Sequence, residues 1–255
     1  MPLNIQQIRT HFPNRDLHYF DTIDTTMREA AALAAAGAAP GTTVIAEEQT
    51  AGQGRHGHTW RSEKHRGLYL SILLHSRQSA APTLTMALGL ATAEAISAST
   101  ALKCDLRWPN DVMVNGKKAA GILTQLTEST AIAGIGINVN HDHFPAELAQ
   151  EATSLLLESG GRHHSRERIL LELLPAVDRY AALLADRGPD PILELFSSRS
   201  TYATGKRVVV HQGGSTLQGT TAGLNAAGFL VVRKDDGSDE IILAGGVRAA
   251  SAGRR

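Results

Sequence analysis

The sequence predicts an α+β fold: a mixed, largely antiparallel sheet with flanking helices, followed by a small β-barrel. Three observations carry that reading. Helical patterns cluster early, and hairpin-like strands then arrive in close succession between residues 112 and 139. A doubly wound fold would need a helix at each of those crossings. A long apolar-faced helical stretch spans 165–187, and from Gly205 the texture changes to short strands between Gly-rich turns.

Taken in order, residues 17–23 read as a first strand that leads into Asp24, Thr25 and Thr26. Thr26 and Glu29 have the spacing of a capping box, and the Ala-rich run behind them forms a helix that stops near Gly37 and Pro40. Residues 42–46 are β-branched and extended. In 67–75, Leu68, Leu70, Ile72 and Leu74 alternate with Tyr69 and Ser71, a half-buried strand. Pro82 opens a helix to about Ser97. Residues 112–114 then meet Asn115-Gly116, the favoured pair of a type I′ turn, and the chain returns through 120–126. Residues 130–139 complete a meander. In 165–187, Leu170, Leu171, Leu174, Val177, Leu183 and Leu184 give one apolar face, and Pro175 predicts a kink or break. Strands at 207–211, 228–233 and 240–243 build the barrel of roughly 50 residues. The boundary falls near residue 200, dividing 1–200 from 201–255.

The composition excludes several classes. With 25 basic and 25 acidic residues, the chain has no global charge for bulk nucleic-acid binding. Its 42% hydrophobic content supports a substantial core in 255 residues. Cys104 is the single cysteine, so no intrachain disulfide forms. The amino terminus lacks a signal-peptide layout, and no apolar run approaches the roughly 20 residues of a membrane span. The expectation is a cytoplasmic protein without membrane attachment.

Three segments stand out chemically. The first runs from Glu47 to Trp60. Gly52, Gly54 and Gly57 free the backbone for close approach of a ligand, Arg55 supplies a forked cation, and Trp60 a flat ring. It matches neither the Walker nor the dinucleotide pattern, and alone it would pass as a surface turn. The second is Arg107-Trp108-Pro109-Asn110-Asp111, followed by Lys117-Lys118-Ala119-Ala120-Gly121-Ile122-Leu123. It sets polar groups at a sheet edge with Lys118 just past the turn; Gly121 would weaken an ordinary strand, so something packs on it. The third, Gly134-Ile135-Gly136-Ile137-Asn138, again places glycines in a strand beside an amide.

In order and spacing these segments resemble the biotin protein ligase family: a Gln-x-x-Gly-x-Gly-Arg loop ending in Trp, then a basic residue with Trp-Pro-Asn-Asp, then Lys-x-x-Gly-Ile-Leu, then Gly-x-Gly-Ile-Asn. The likeness runs from about Tyr19 to Asn140. The resemblance implies a catalytic domain like that of class II aminoacyl-tRNA synthetases and a carboxy-terminal Src-homology-3-like barrel. It also implies an ATP-dependent ligase that forms biotinyl-5′-AMP and passes biotin to a lysine of a biotin carboxyl carrier protein. Biotin would lie against Thr25, Thr26, Met27, Gln49, Gly52, Gln53, Gly54, Arg55, Lys118 and Gly121. The adenylate would meet Arg55, Trp60, Asn110, Lys118 and Asn138, with Lys118 and Arg55 catalytic and Asp111 holding magnesium. Gln53, His56 and His58 stand where the family often has basic residues, Met27 where it often has Asn, and Arg107 where Lys is common.

Two rivals remain in view. A lipoate ligase or octanoyl transferase shares the superfamily, but such transferases use a cysteine nucleophile and Cys104 reads as a small core residue. A biotin-responsive repressor would need an amino-terminal DNA-binding domain, for which the roughly 16 residues before the first strand leave no room. No DNA partner is therefore expected, and a homodimer is compatible with the pattern. The adjacent His163 and His164 read as solvated loop residues, not metal ligands.

Overall fold

The computed structural model describes residues 1–75, 81–127, 130–212 and 215–250. A short helix absent from the sequence reading, α1 (Ile5–His11), precedes β1 (Leu17–Phe20). Helix α2 (Thr26–Ala35) leads to β2 (Thr43–Ala46), the glycine-rich loop and β3 (Leu68–His75). Helix α3 (Ala81–Thr100) is followed by four strands: β4 (Asp105–Arg107), β5 (Asp111–Val114), β6 (Lys117–Leu126) and β7 (Thr130–Ile137). Three helices come next, α4 (Leu155–Glu158), α5 (Arg166–Arg187) and α6 (Asp190–Ser198).

These strands form one seven-stranded sheet in the order β1-β2-β3-β7-β6-β5-β4. Only β1 and β2 pair in parallel; every other neighbour is antiparallel. The mixed, largely antiparallel sheet is thus as expected, and so is the Asn115-Gly116 turn. Both turn residues have positive φ, 50° and 80°, the condition for a type I′ connection.

Strand β3 departs from the half-buried expectation. Tyr69 and Ser71 are as inaccessible as Leu68, Leu70 and Ile72, because both faces of the sheet are covered. On one side Leu70, Ile72 and Leu74 pack with α3 and α5; on the other, Leu73 joins Met27, Ala30, Val44 and Ile132 beneath α2. A strand buried on both faces loses the alternation that signals exposure. The cap of α2 also differs from its expected form. Thr25, not Thr26, is the N-cap and accepts from the Met27 N–H, which leaves the Thr26 hydroxyl for other work. Helix α5 runs unbroken through Pro175. Pro175 is on the solvent side, where the carbonyl it cannot serve is open to water.

The C-terminal segment forms five strands, two more than expected: β8 (Thr204–Gln212), β9 (Ser215–Leu224), β10 (Leu230–Arg233), β11 (Asp239–Ile242) and β12 (Gly246–Ala249). They make an antiparallel sheet ordered β11-β10-β9-β8-β12. Val208, Val210, Leu230, Val232 and Ile242 belong to the same apolar cluster as α3, α5 and α6. Trp108 Nε1 donates to Gly228 O at 2.9 Å, fixing this sheet to the turn before β5. Among the described residues no helix is long and apolar enough to cross a membrane.

A buried ion pair ties the amino terminus to this frame. Glu47, wholly inaccessible at the end of β2, accepts from Arg166 Nη1 at 2.6 Å, from Tyr19 Oη at 2.9 Å and from the Leu3 N–H. Arg166 also donates to Gly67 O at 3.0 Å and Met1 O at 2.6 Å. Burial pushes the Glu47 carboxyl up, but Arg166 and the Leu3 N–H outweigh it and hold the group below the usual range. Its contribution is therefore present above the ordinary carboxylate pKa and is lost as pH falls through the lower folded value. Arg166→Met removes the buried cation from Glu47, which keeps only Tyr19, the Leu3 N–H and His65 Nδ1 at 3.0 Å, and should cost about 3 kcal/mol in urea unfolding at pH 7. The deficit should shrink in acid, because Glu47 of the variant, buried without Arg166, takes up its proton at a higher pH than the parent's; a deficit that stays constant down through the ordinary carboxylate range would refute the pairing.

Candidate active site

The site lies where β2 ends and α2 begins, on the face formed by β3, β7 and β6. Freed from capping, Thr26 donates its N–H to Gln49 Oε1 at 2.9 Å, and its hydroxyl is 3.1 Å from the same atom and 2.8 Å from Ser71 Oγ. Gln49 is positioned in turn by its own N–H, which donates to Ser62 Oγ at 2.8 Å. With its oxygen occupied, the Gln49 NH₂ is the donor left for a ligand. Ser71 was missed from sequence because it read as the solvent position of an alternating strand. No local signal distinguishes it; only the covering by α2 brings it to Thr26.

The glycine-rich loop is a miniature hairpin. Gly54 N donates to His58 O at 2.7 Å and Trp60 N to Gly52 O at 2.9 Å, with Arg55–Gly57 as a single 3₁₀ turn between them. A Cβ at Gly52 would lie 2.5 Å from Trp60 O, and one at Gly54 3.1 Å from His58 O. These two glycines are thus required by the closure of the loop on itself, a reason distinct from the expected approach of a ligand. The His56 side chain lies outside the described residues, and that of His58 is exposed.

From this loop Trp60 reaches back over the sheet. A Cβ on Gly136 would stand 2.5 Å from its Cε2, and one on Gly121 2.9 Å from its Cζ3. What packs on Gly121 is therefore the indole, with Lys118 beside it; Lys118 Nζ is 5.4 Å from the indole centroid. The Met27 thioether occupies the equivalent space over Gly134. Between these groups remains a cavity of about 50 Å³. Thr25, Thr26, Met27, Gln49, Gln53, Gly54, Arg55, Trp60, Asn110, Lys118 and Gly121 line it, so the structure gathers residues from positions 25 to 121. Gly52, expected against biotin, is buried within the loop and does not line this cavity. A larger open cleft of about 700 Å³ lies at the opposite end of the sheet, beside Arg15 and Asp178, and holds none of these residues.

Two expected residues are engaged elsewhere. Asp111, expected to hold magnesium, receives Arg107 Nε and Nη2 on Oδ2 at 3.1 and 2.7 Å, while Lys118 Nζ stands 2.6 Å from Oδ1. Burial pushes this carboxyl up, but Lys118 and Arg107 hold it below its ordinary value. With a cation on each oxygen, and no cluster of three or more His, Cys, Asp or Glu among the described residues, the residues do not fit a resident divalent ion. Asn138, expected to face adenine, is buried and does not line the cavity. Its Nδ2 donates to Thr153 O at 3.1 Å. That bond secures a strap the sequence reading passed over: Lys118 N donates to Glu151 O at 2.7 Å, and Thr153 N to Lys118 O at 2.9 Å.

Arg55 Nη1 crosses to Asn110 Oδ1 at 3.1 Å. Burial pulls its guanidinium below the ordinary value, and the charge of Asp111 opposes that shift. Arg55, Arg107 and Lys118 thus surround one carboxylate, which leaves a local surplus of positive charge. Such a site suits polyanions.

The chain matches the Biotin/lipoate A/B protein ligase family over residues 19–142. It is 33% identical over 250 residues to a bifunctional ligase/repressor of Bacillus spizizenii, covering 93% of this chain and 75% of that one. It is 31% identical over 240 residues to a biotin–[acetyl-CoA-carboxylase] ligase of Mycobacterium tuberculosis, covering 91% and 88%. Its structure is similar to that of a biotin protein ligase from Aquifex aeolicus in complex with biotin and ATP, with a TM-score of 0.80 and 28% identity over 92% of this chain and 99% of that one. The chain belongs to the biotin/lipoate A/B protein ligase family. Within it, the two relatives above carry ligase names and the Aquifex structure is a biotin protein ligase.

Gly136→Ala tests the glycine floor. The added methyl must displace the Trp60 indole, whereas Trp108, the other tryptophan, stays in the core. The expected result is a red shift of tryptophan emission with little loss of fold; an emission spectrum equal to the parent's would place the indole elsewhere.

Proposed function

We propose that this chain is an ATP-dependent biotin ligase, which forms biotinyl-5′-AMP and transfers the biotinyl group to a lysine of a biotin carboxyl carrier domain. The observation that carries this is the convergence of the Thr26–Gln49 pair, Arg55 and Lys118 on one small cavity, in a chain of this family. Ligase activity is also what the names of the bacterial relatives share.

The chemistry follows from charge. A carboxylate oxygen of biotin attacks the α-phosphorus of ATP and pyrophosphate leaves, so two anions must converge. Lys118 and Arg55 offset that repulsion, and Asp111 with Arg107 keeps the Lys118 ammonium aimed across Gly121. Thr25, Thr26, Gln49 and Met27 form the end that grips biotin's polar ring system; Gln53 and Gly54 close it from the loop. Trp60 covers the adenylate, and Asn138 serves the nucleotide side through the strap at Thr153. Magnesium enters with ATP as part of the substrate. The amine of the acceptor lysine then attacks the acyl carbon, and AMP leaves with the bonding pair. We assign this chemistry to residues 1–200 and treat 201–255 as a supporting domain.

Cys104 does not suit the cysteine-dependent transferase alternative. It does not line the cavity, and burial pushes its thiol up to about 11, so it is no thiolate at neutral pH. Cys104→Ser should keep full acceptor labelling; loss of activity together with a trappable acyl-thioester in the parent would favour the transferase. Lys118→Ala, by contrast, should slow pyrophosphate release by about 10²- to 10³-fold at saturating biotin and ATP. The direct test of the function is incubation with biotin, ATP and a carrier domain, read by pyrophosphate and by acceptor mass. An acceptor without the mass of one biotinyl group would overturn the proposal.

A further inference from the structure

Asn110 stands on the turn between β4 and β5 with its side chain held at both ends. Its Nδ2 donates to Ile122 O at 3.0 Å, and its Oδ1 accepts from Arg55 Nη1 at 3.1 Å. The main chain repeats the first tie, since Ile122 N donates to Asn110 O at 2.9 Å. An amide whose NH₂ is fixed on a strand carbonyl cannot rotate, so its oxygen is presented to one place only. That place is the tip of the glycine loop. The backbone hydrogen bonds of residues 52–60 close the loop on itself. Among the described side chains, Arg55–Asn110 is the hydrogen bond that joins this segment to the sheet.

We propose that Asn110 is a positioning residue: it anchors Arg55 and so holds the glycine loop over the site. It acts on retention of the adenylate, not by touching the nucleotide as the sequence resemblance implied. The inference rests on the ligase reading. Asparagine suits the task because it offers Arg55 a neutral acceptor. An aspartate there would lose the donor to Ile122 and add a second carboxylate beside Asp111, facing the phosphates.

One arm of the test needs no catalysis. In ligand-free protein, Asn110→Ala should speed amide hydrogen exchange across residues 52–60 by about tenfold, the worth of one hydrogen bond to a charged group, while β5 and β6 keep the parent's protection. Unchanged loop exchange overturns the proposal. So does opening of β5 and β6 together with the loop, which would make Asn110 a prop of the hairpin. The second arm follows escape of labelled biotinyl-adenylate from preloaded enzyme into an unlabelled chase. Asn110→Ala and Arg55→Gly should each speed escape about tenfold or more, and the double variant should be no faster than Arg55→Gly alone. A double variant whose acceleration is the product of the two would show that Asn110 holds the adenylate independently, and the proposal fails. If the parent forms no adenylate at all, the ligase reading falls, and the exchange arm still decides whether Asn110 anchors the loop.

Discussion

The site depends on a strip of sheet that carries no side chains. Gly121 and Gly136 are directly paired in β6 and β7, and Gly134 follows two residues away on the same strand. Over this bare backbone lie the Trp60 indole, the Met27 thioether and the end of Lys118. A methyl at any of the three would come within about 3 Å of one of them, inside contact distance. Three elements far apart in the chain, α2, the glycine loop and the β5–β6 hairpin, can therefore meet only because β6 and β7 yield the space.

Charge is arranged on the same principle of shared support. Asp111 is inaccessible enough to be costly if unpaired, yet Arg107 and Lys118 hold it ionised from opposite oxygens. Lys118 gains a fixed direction from this, and the cluster keeps its positive surplus because Arg55 adds a third cation. A magnesium ion placed on the same carboxylate would have to displace one of those cations.

Around the site the framework is packed on both sides. The sheet is covered by α2 on one face and by α3 and α5 on the other, and the C-terminal sheet continues the second cluster. The strap at Glu151–Thr153 binds the main chain of Lys118 and is itself fixed by Asn138. Arg248, on β12, forms an ion pair with Glu151 at 3.0 Å. The C-terminal sheet thus reaches the strap behind the central lysine.

What the sequence by itself determined was local: the Asn115-Gly116 turn, the run of helices and hairpins, and the motif residues that line the cavity. Turn chemistry, periodicity and short spacings are properties of neighbouring residues and need no knowledge of the rest of the chain. The tertiary structure decided how those groups are used. Ser71 became a partner of Thr26 only because α2 covers a face that alternation marked as open. The cap passed to Thr25 because Thr26 finds Gln49 across 23 residues. Asn138 went to Thr153, and Asp111 to two cations, because a buried polar group takes whichever partner the packing offers. Glu47 and Arg166 lie 119 residues apart, and no spacing rule connects them. Their pairing exists only once the sheet and α5 have packed, since burial is what makes each require the other.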